Sequence, residues 1–266
     1  MKEIGLEELK ILQLDMMKDI HAFCKEHDIK YSLAFGSLLG AVRHKGYIPW
    51  DDDLDIMIPR EDYDRFVREY GNDKYGVTDL NKNPNHGLAF AKVEDLRTVL
   101  KEDIEGDTQF GVFIDVFPVD HVPDNLAKRK CYFRRKAFWN ALFNLKLIKI
   151  REGRSLLKNI VLAIGHVLLL TVPRRYIVKK MAYITSLYRG TKTEYMGIVA
   201  PADSRIREAV PSSDFDEYIS VPFEDTEFMI IKEYDAYLKG AYGDYMKLPP
   251  KEKQVGHHDF VAYWKE

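Results

Sequence analysis

Four aspartates in five positions, Asp51-Asp52-Asp53-Leu54-Asp55, follow Trp50, and a fifth, Asp115, stands alone between Ile114 and Val116. If Asp53 to Ile58 forms a strand, Asp53 and Asp55 project to one face, about 6–7 Å apart. Carboxylates that close repel unless a cation lies between them, and hard oxygen ligands select Mg2+ or Mn2+. Asp115, between bulky apolar neighbours, suits a central strand that could carry it to the same ions. Two ions clamped this way would stabilise the attacking and leaving oxygens of a phosphoryl displacement. Gly36-Ser37 offers backbone N–H groups and a hydroxyl to a phosphate. Taken singly, these parts could also be a solvated acidic turn, a common loop dipeptide and a buried acid paired with a base. Their order along the chain favours the metal site.

The elements that must position these residues read as α/β or α+β. Apolar residues at Leu6, Leu9, Leu12, Met16, Ile20 and Phe23 predict an amphipathic helix over residues 6–27. Tyr31–Phe35 reads as a short strand ending at Gly36-Ser37, and Leu38–His44 as a short helix stopped by Pro49. Asp53–Ile58 alternates acid and apolar, the period of a strand with one polar face. Arg60–Tyr70 is expected helical, and strands are expected at Gly87–Val93 and Gly111–Phe117. Residues 126–190 read as mostly helical, and Phe228–Gly240 as a helix. The expected organisation is a catalytic core over 1–125, a basic helical insert over 126–193, and a segment over 194–266 that packs back on the core and completes the site.

Charge supports that partition. The 266 residues carry 40 Lys and Arg against 42 Asp and Glu, yet residues 126–193 hold 17 of the bases and one acid, Glu152. A near-neutral chain therefore joins an acidic body to a strongly basic insert, which points to nucleic acid or an anionic membrane surface as a neighbour. With 46% apolar and 12% aromatic residues, the composition excludes a wholly disordered protein. Cys24 and Cys131 form no CxxC, against a disulfide framework or cysteine-rich zinc site and for a reducing compartment. No secretory signal is expected at the N-terminus, and the most apolar stretch, 159–172, is too short to span a membrane.

The run from Phe35 to Ile56, FGSLLGAVRHKGYIPWDDDLDI, resembles the LicD/fukutin family of the nucleotidyltransferase superfamily. Ile114-Asp115-Val116-Phe117-Pro118-Val119-Asp120 and the segment from Tyr242 to Pro250, followed by His257-His258, carry the likeness further; the basic insert carries none of it. The resemblance implies a nucleotidyltransferase-like mixed sheet flanked by helices. It also implies transfer of a phospho-group from a CDP-activated donor onto a glycan: phosphocholine in bacterial relatives, ribitol phosphate in the animal branch. Some relatives carry a zinc-binding cysteine cluster; two cysteines are too few, so no zinc is expected.

Carried over by position, Asp53 and Asp55 resemble the family's metal-binding pair. Asp115 is the third acid, either a ligand or the base for the acceptor hydroxyl. Asp51 is an outer ligand or simply solvated. Arg43, His44 and Lys45 could neutralise the diphosphate, with helix capping the other role for His44. Lys92 resembles a basic position of the family that contacts phosphate, or is an exposed strand-end lysine. A choline cargo needs aromatic faces, for which Trp50, Tyr242 and Tyr245 are candidates, and His257 and His258 could meet phosphate or base. The expected activity is metal-dependent phosphocholine transfer from CDP-choline onto teichoic acid, lipopolysaccharide or a capsule precursor, with CMP released. Glycerol-phosphate or ribitol-phosphate transfer, nucleotidyl transfer from an NTP, and a non-enzymatic membrane module are the alternatives. The expected partners are a CDP donor, a glycan acceptor on a lipid carrier and no nucleic acid, with a cytoplasmic protein peripheral on the inner membrane face.

The insert fits that setting. Phe133, Phe138, Trp139 and Phe143 alternate with bases. The leucine-rich stretch 156–172 is flanked by Arg151, Arg154 and Lys158 before it and by Arg174, Arg175, Lys179 and Lys180 after it. Such helices could lie on an anionic membrane, face a polyanionic acceptor, or form a solvated bundle on the core.

Overall fold

The computed structural model describes residues 1–83, 86–102, 110–148, 155–201, 205–255 and 260–265. A two-residue strand, β1 (Glu3–Ile4), leads into α1 (Leu6–Glu26). Helix α1 buries Leu9, Leu12, Met16, Met17, Ile20 and Cys24 on one stripe, and its first turn carries Glu7 and Glu8 where the helix dipole favours acids. Next come β2 (Ser32–Leu33), α2 (Phe35–His44), β3 (Asp55–Pro59) and α3 (Arg60–Glu69). Then β4 (Tyr75–Thr78), β5 (Ala91–Asp95), β6 (Thr98–Glu102) and the long β7 (Phe113–Val122) complete the first half.

Three helices follow: α4 (Leu126–Leu147), α5 (Leu156–Leu168) and α6 (Arg174–Thr185). Strands β8 (Tyr195–Ile198), β9 (Val210–Pro211), β10 (Tyr218–Phe223) and β11 (Thr226–Ile231), helix α7 (Tyr234–Tyr242) and strand β12 (Phe260–Trp264) finish the chain. The chain is thus a mixed α/β fold.

Seven strands form the principal sheet, in the order β2-β3-β7-β5-β4, with β8 beside the C-terminal half of β7 and β9 beyond it. Only β3 and β7 run parallel; the other pairs are antiparallel. Ile56, Ile58, Ile114, Val116 and Val93 are fully buried on one face of these strands, which fixes their register. A smaller antiparallel sheet, β1-β12-β6, ties the two ends of the chain together.

Several elements differ from the sequence expectation: β2 ends at Leu33 with Phe35 already in α2, and β5 starts at Ala91 rather than Gly87. Phe228–Gly240 is not one helix: Phe228–Ile231 belongs to β11, paired with β10 in a hairpin, and only Tyr234–Tyr242 is helical. The apolar spacing of Phe228, Ile230 and Ile231 suits either period; hairpin pairing decides it. Likewise β3 starts at Asp55 rather than Asp53, and it has no solvent-exposed face, because Asp55 through Ile58 are all buried.

The insert helices pack on the core through α4 and α6. Phe143, Ile177, Val178 and Met181 form a cluster with Leu80 and Ala89, in the segment that leads into β5. Arg174 lies against Gly87 so closely that a Cβ there would overlap its guanidinium, and Arg189 pairs with Asp64 of α3. Arg151, Glu152 and Arg154 lie outside the described residues. Among the described residues no helix is long and apolar enough to cross a membrane.

Candidate active site

The junction of β2 and α2 forms the floor of the site. Phe35 takes φ 43°, a left-handed conformation that costs a non-glycine residue energy and turns the chain sharply into the helix. The turn lets Ala34 N–H donate to the Asp55 carbonyl (2.9 Å) while Ser37 Oγ accepts from Asp55 N–H (2.8 Å). Gly36-Ser37, expected as a loop beyond the strand, is therefore the first turn of α2, and the Ser37 hydroxyl accepts the N–H that positions Asp55. Glycine next to it leaves room for the acid loop: a Cβ on Gly36 would lie 2.6 Å from Asp51 Oδ2 and push that carboxylate aside.

Across the sheet, Asp55 of β3 stands in register with Asp115 of β7, and Asp115 in register with Lys92 of β5. The three side chains make one row on one face. Lys92 Nζ lies 2.5 Å from Asp115 Oδ1 and 3.2 Å from the centroid of the Phe113 ring. Lys92 is buried, so it is not the exposed strand-end lysine; nor does it reach outward to a phosphate, since its ammonium is held by Asp115 and Phe113. Burial, with Asp53 and Asp115 adding negative charge, pushes the Asp55 carboxyl well above the usual carboxylate range, and Lys92 opposes that shift.

In front of this row lies the loop 51–54. Carboxylate oxygens of Asp51, Asp52 and Asp53 all fall within 4.8 Å of one another. Among the described residues this is the close set, rather than Asp53, Asp55 and Asp115 together; Asp52 is a member that the sequence pattern did not single out. Three consecutive acids leave the strand because alternation would turn one of them into the core. Gln13 of α1, almost fully buried, braces the loop: its Nε2 donates to the carbonyls of Asp52 (3.2 Å) and Phe113 (3.4 Å). Helical periodicity marked its neighbours as core and gave no reason to notice it.

The C-terminal segment borders the site. Arg43 Nη1 donates to the Tyr245 carbonyl (2.7 Å) and Arg43 Nε to His44 Nε2 (2.9 Å). His44 is thus a neutral acceptor here, held below its ordinary pKa by burial and by Arg43, and supplies no charge to a diphosphate. Glu224, at the hairpin tip, donates its N–H to Lys45 O (2.8 Å) and accepts from Tyr47 N–H (2.9 Å), bracing the loop between α2 and β3.

Tyr242 is half exposed, and burial of its hydroxyl beside Asp55, Asp51 and Asp53 raises its pKa. Tyr245 is buried, and its hydroxyl donates to Asp235 (2.9 Å); burial and that acid push it up to about 12. It offers no open face to a cation. Trp50 is half-buried with its edge toward His44, ring centroids 6.2 Å apart. His257 and His258 lie outside the described residues.

A further buried side chain escaped the sequence. His86 Nε2 contacts the Phe90 carbonyl (2.6 Å), while Nδ1 is buried with no hydrogen-bond partner among the described residues. It stands between the insert-packed segment and Lys92, in a polar stretch without periodicity.

Comparison with known proteins bears on this arrangement. Residues 28–152, which contain the floor, the acid loop, Lys92 and Asp115, match the family model described as LicD/FKTN/FKRP, nucleotidyltransferase domain. Over 274 aligned residues, 99% of both chains, the protein is 30% identical to a protein of Haemophilus influenzae named lipopolysaccharide cholinephosphotransferase LicD. The chain belongs to the LicD family. Shorter matches, 52% identical over 62 residues and 53% over 58 residues, link it to uncharacterised proteins of Rickettsia typhi and Rickettsia prowazekii; they cover 23% and 22% of this chain and 20% and 21% of theirs. The full-length alignment means that this LicD-family chain shares its insert and C-terminal segment, and not only its site, with the Haemophilus protein.

The residues fit a hard divalent cation. Every candidate donor is a carboxylate oxygen: Asp51, Asp52 and Asp53 lie within 4.8 Å of one another, the charge of Asp53 and Asp115 acts on Asp55, and Lys92 is paired with Asp115. Burial first, and then the neighbouring acids, raise the Asp55 pKa, and a dication would oppose both.

Proposed function

We propose that this LicD-family protein transfers phosphocholine from CDP-choline onto a cell-surface glycan and releases CMP. The observation that carries the reading is the likeness, along 99% of both chains, to a protein named for phosphocholine transfer to lipopolysaccharide. The acid row gives the reading a chemical basis. Asp51, Asp52 and Asp53, with Asp55 behind them, would hold Mg2+ or Mn2+, which when bound supplies charge neutralisation at the diphosphate.

The reaction is an in-line displacement. A sugar hydroxyl oxygen forms a bond to the phosphorus that carries choline, the bond from that phosphorus to the CMP oxygen breaks, and the hydroxyl proton passes to a carboxylate. Asp115 suits the proton acceptor: Lys92 fixes Oδ1, leaving the second oxygen for the hydroxyl. Clamping of Asp55 by Ala34 and Ser37 fixes the reacting geometry before substrate arrives. The choline ammonium needs aromatic surface near negative charge; Tyr242, beside three aspartates, supplies both, and Trp50 lies at the start of the acid loop.

Incubation of the protein with Mg2+, a glycan acceptor, and CDP-choline, CDP-glycerol, CDP-ribitol or an NTP tests this reading. CMP release with CDP-choline, lost in Asp53→Asn, is the expected result. Diphosphate release from an NTP, or no CMP from any CDP donor, overturns it.

A further inference from the structure

Helix α5 is turned inside out for a protein surrounded by water. Leu157, Ile160, Val161, Ile164 and Leu168 fall within one arc of about 100° at 3.6 residues per turn, and all are exposed; Leu157 and Leu168 are 73% and 72% accessible. Leu156, Val167 and Leu170 widen the arc. The side turned to the protein is mixed, with Asn159, Gly165 and His166 beside Leu162 and Ala163: His166 Nε2 is buried there without a partner among the described residues, and Gly165 lies against Leu145 where a Cβ would overlap it. Soluble helices bury the opposite face.

The helix is nevertheless anchored. Lys146 of α4 donates to the Leu169 carbonyl (2.9 Å) and to that of Val172, and Ser155 caps the N-terminus. An open apolar recess of about 420 Å3, lined by Ile148, Leu157, Lys158, Val161 and Leu162, lies on the exposed side. No Asp or Glu stands between Ser155 and Thr193, whereas Lys158, Arg175 and Lys179 are exposed.

We infer that α5 docks on an anionic lipid bilayer, lying in the interface with its leucine face among the acyl chains and the surrounding cations at the headgroups. Charge complementarity selects this occupant. An apolar stripe on a stretch that has exposed bases and no acids matches acidic headgroups over hydrocarbon, whereas two copies meeting through α5 would bring like charges together. Thirteen residues span about 20 Å, too little to cross the hydrocarbon core, so the helix lies flat. Since α6 and α4 also pack on the segment entering β5, docking would hold the site at a fixed height over a membrane-borne acceptor.

The test is flotation of the full chain with vesicles of phosphatidylcholine containing about 30% phosphatidylglycerol, against pure phosphatidylcholine, with circular dichroism to check folding. The expected result is binding to the anionic vesicles at low salt. It should fall more than about tenfold in the double variant Leu157→Glu with Ile164→Glu, and several-fold in Lys158→Gln with Arg175→Gln or at high salt. Absence of wild-type binding to anionic vesicles at low salt, or unchanged binding by the folded Glu variant, overturns the inference. So does a dimer in light scattering that the Glu variant dissociates while lipid binding is absent. Flotation uses no substrate, so its outcome is independent of the proposed reaction. CMP release onto a water-soluble acceptor should be the same in both variants as in wild type.

Discussion

Lys92 and Asp115 face each other in register across β5 and β7, ammonium to carboxylate 2.5 Å, with both side chains largely buried. Lys92 is thus the counter-charge built into an acidic row. Lys92→Met leaves Asp115 unpaired beside Asp55, at a cost of about 3 kcal/mol in chelator. Excess Mg2+ should recover part of that loss, because a dication can replace the missing charge. Thermal denaturation with EDTA and with Mg2+ checks this: equal losses under both conditions would mean that the acids hold no metal. CMP release should fall by at least about a hundredfold whichever divalent ion is supplied, as expected when a positioned acid–base partner is lost.

Ser37 and Gly36 separate two kinds of positioning. Ser37→Ala leaves the buried Asp55 N–H without its acceptor, which should cost about 1–3 kcal/mol and lower activity. Gly36→Ala meets only the tip of the Asp51 side chain, which can swing away. Its stability should stay within about 1 kcal/mol of wild type, while the Mg2+ concentration needed for half-maximal CMP release rises. A Gly36→Ala variant with unchanged Mg2+ response would remove Asp51 from the site.

The contrast between these two residues shows what the sequence made legible. Periodicity revealed α1 and α3, because each buries a regular stripe, and apolar runs revealed the apolar part of β3 and the first half of β7. Residue type revealed the acids. What was not legible depends on backbone closure: Gly36-Ser37 lies in a helix because Phe35 turns through a left-handed conformation, which no local pattern announces. Asp53 falls outside β3 because three acids in a row cannot alternate into a core. Gln13 acts through two hydrogen bonds to distant segments and His86 through one local bond at a buried position, neither of which a periodic pattern marks, and Tyr245 turned out to be a packed residue because Asp235, ten positions away, takes its hydroxyl.

Asp120 belongs to the same motif as Asp115 yet does different work. It is buried and accepts from Arg60 Nε (2.6 Å) and Nη2 (2.7 Å), a bidentate pair that joins the start of α3 to the middle of β7. Asp120→Ala leaves the buried guanidinium, among the described residues, only its longer ion pair with Asp64 (3.6 Å) and should cost about 3 kcal/mol. CMP release per folded molecule, measured well below the melting temperature, should match wild type. A large loss of turnover in folded protein would place Asp120 in the chemistry instead.

His86 gives the fold a dependence on pH. Burial, and then the charge of Lys92, hold its pKa below the ordinary value of 6.5. As pH falls through about 6.5 the unfolded chain binds a proton that the folded protein still refuses, so stability drops with falling pH in that window. Urea denaturation at pH 7.5 and 5.5 should show a wild-type loss that exceeds that of His86→Gln by up to about 1 kcal/mol. Equal losses in the two proteins would mean that His86 protonates as freely folded as unfolded.

Asp53 tests the acid loop most directly, since it lies in the close set with Asp51 and Asp52 and also adds to the charge on Asp55. Binding of Mg2+ to the folded state alone stabilises it by RT ln(1 + [L]/Kd), about 2.7 kcal/mol at a hundredfold excess over Kd. Asp53→Asn removes one charge while keeping the shape. It should gain much less from Mg2+ than wild type does, whatever its stability in EDTA. A simple folding defect lowers stability equally with and without the ion, so it cannot imitate that difference. If Asp53→Asn is destabilised in EDTA and gains from Mg2+ as wild type does, the loop is a hydrogen-bonded turn and the ion, if any, binds elsewhere.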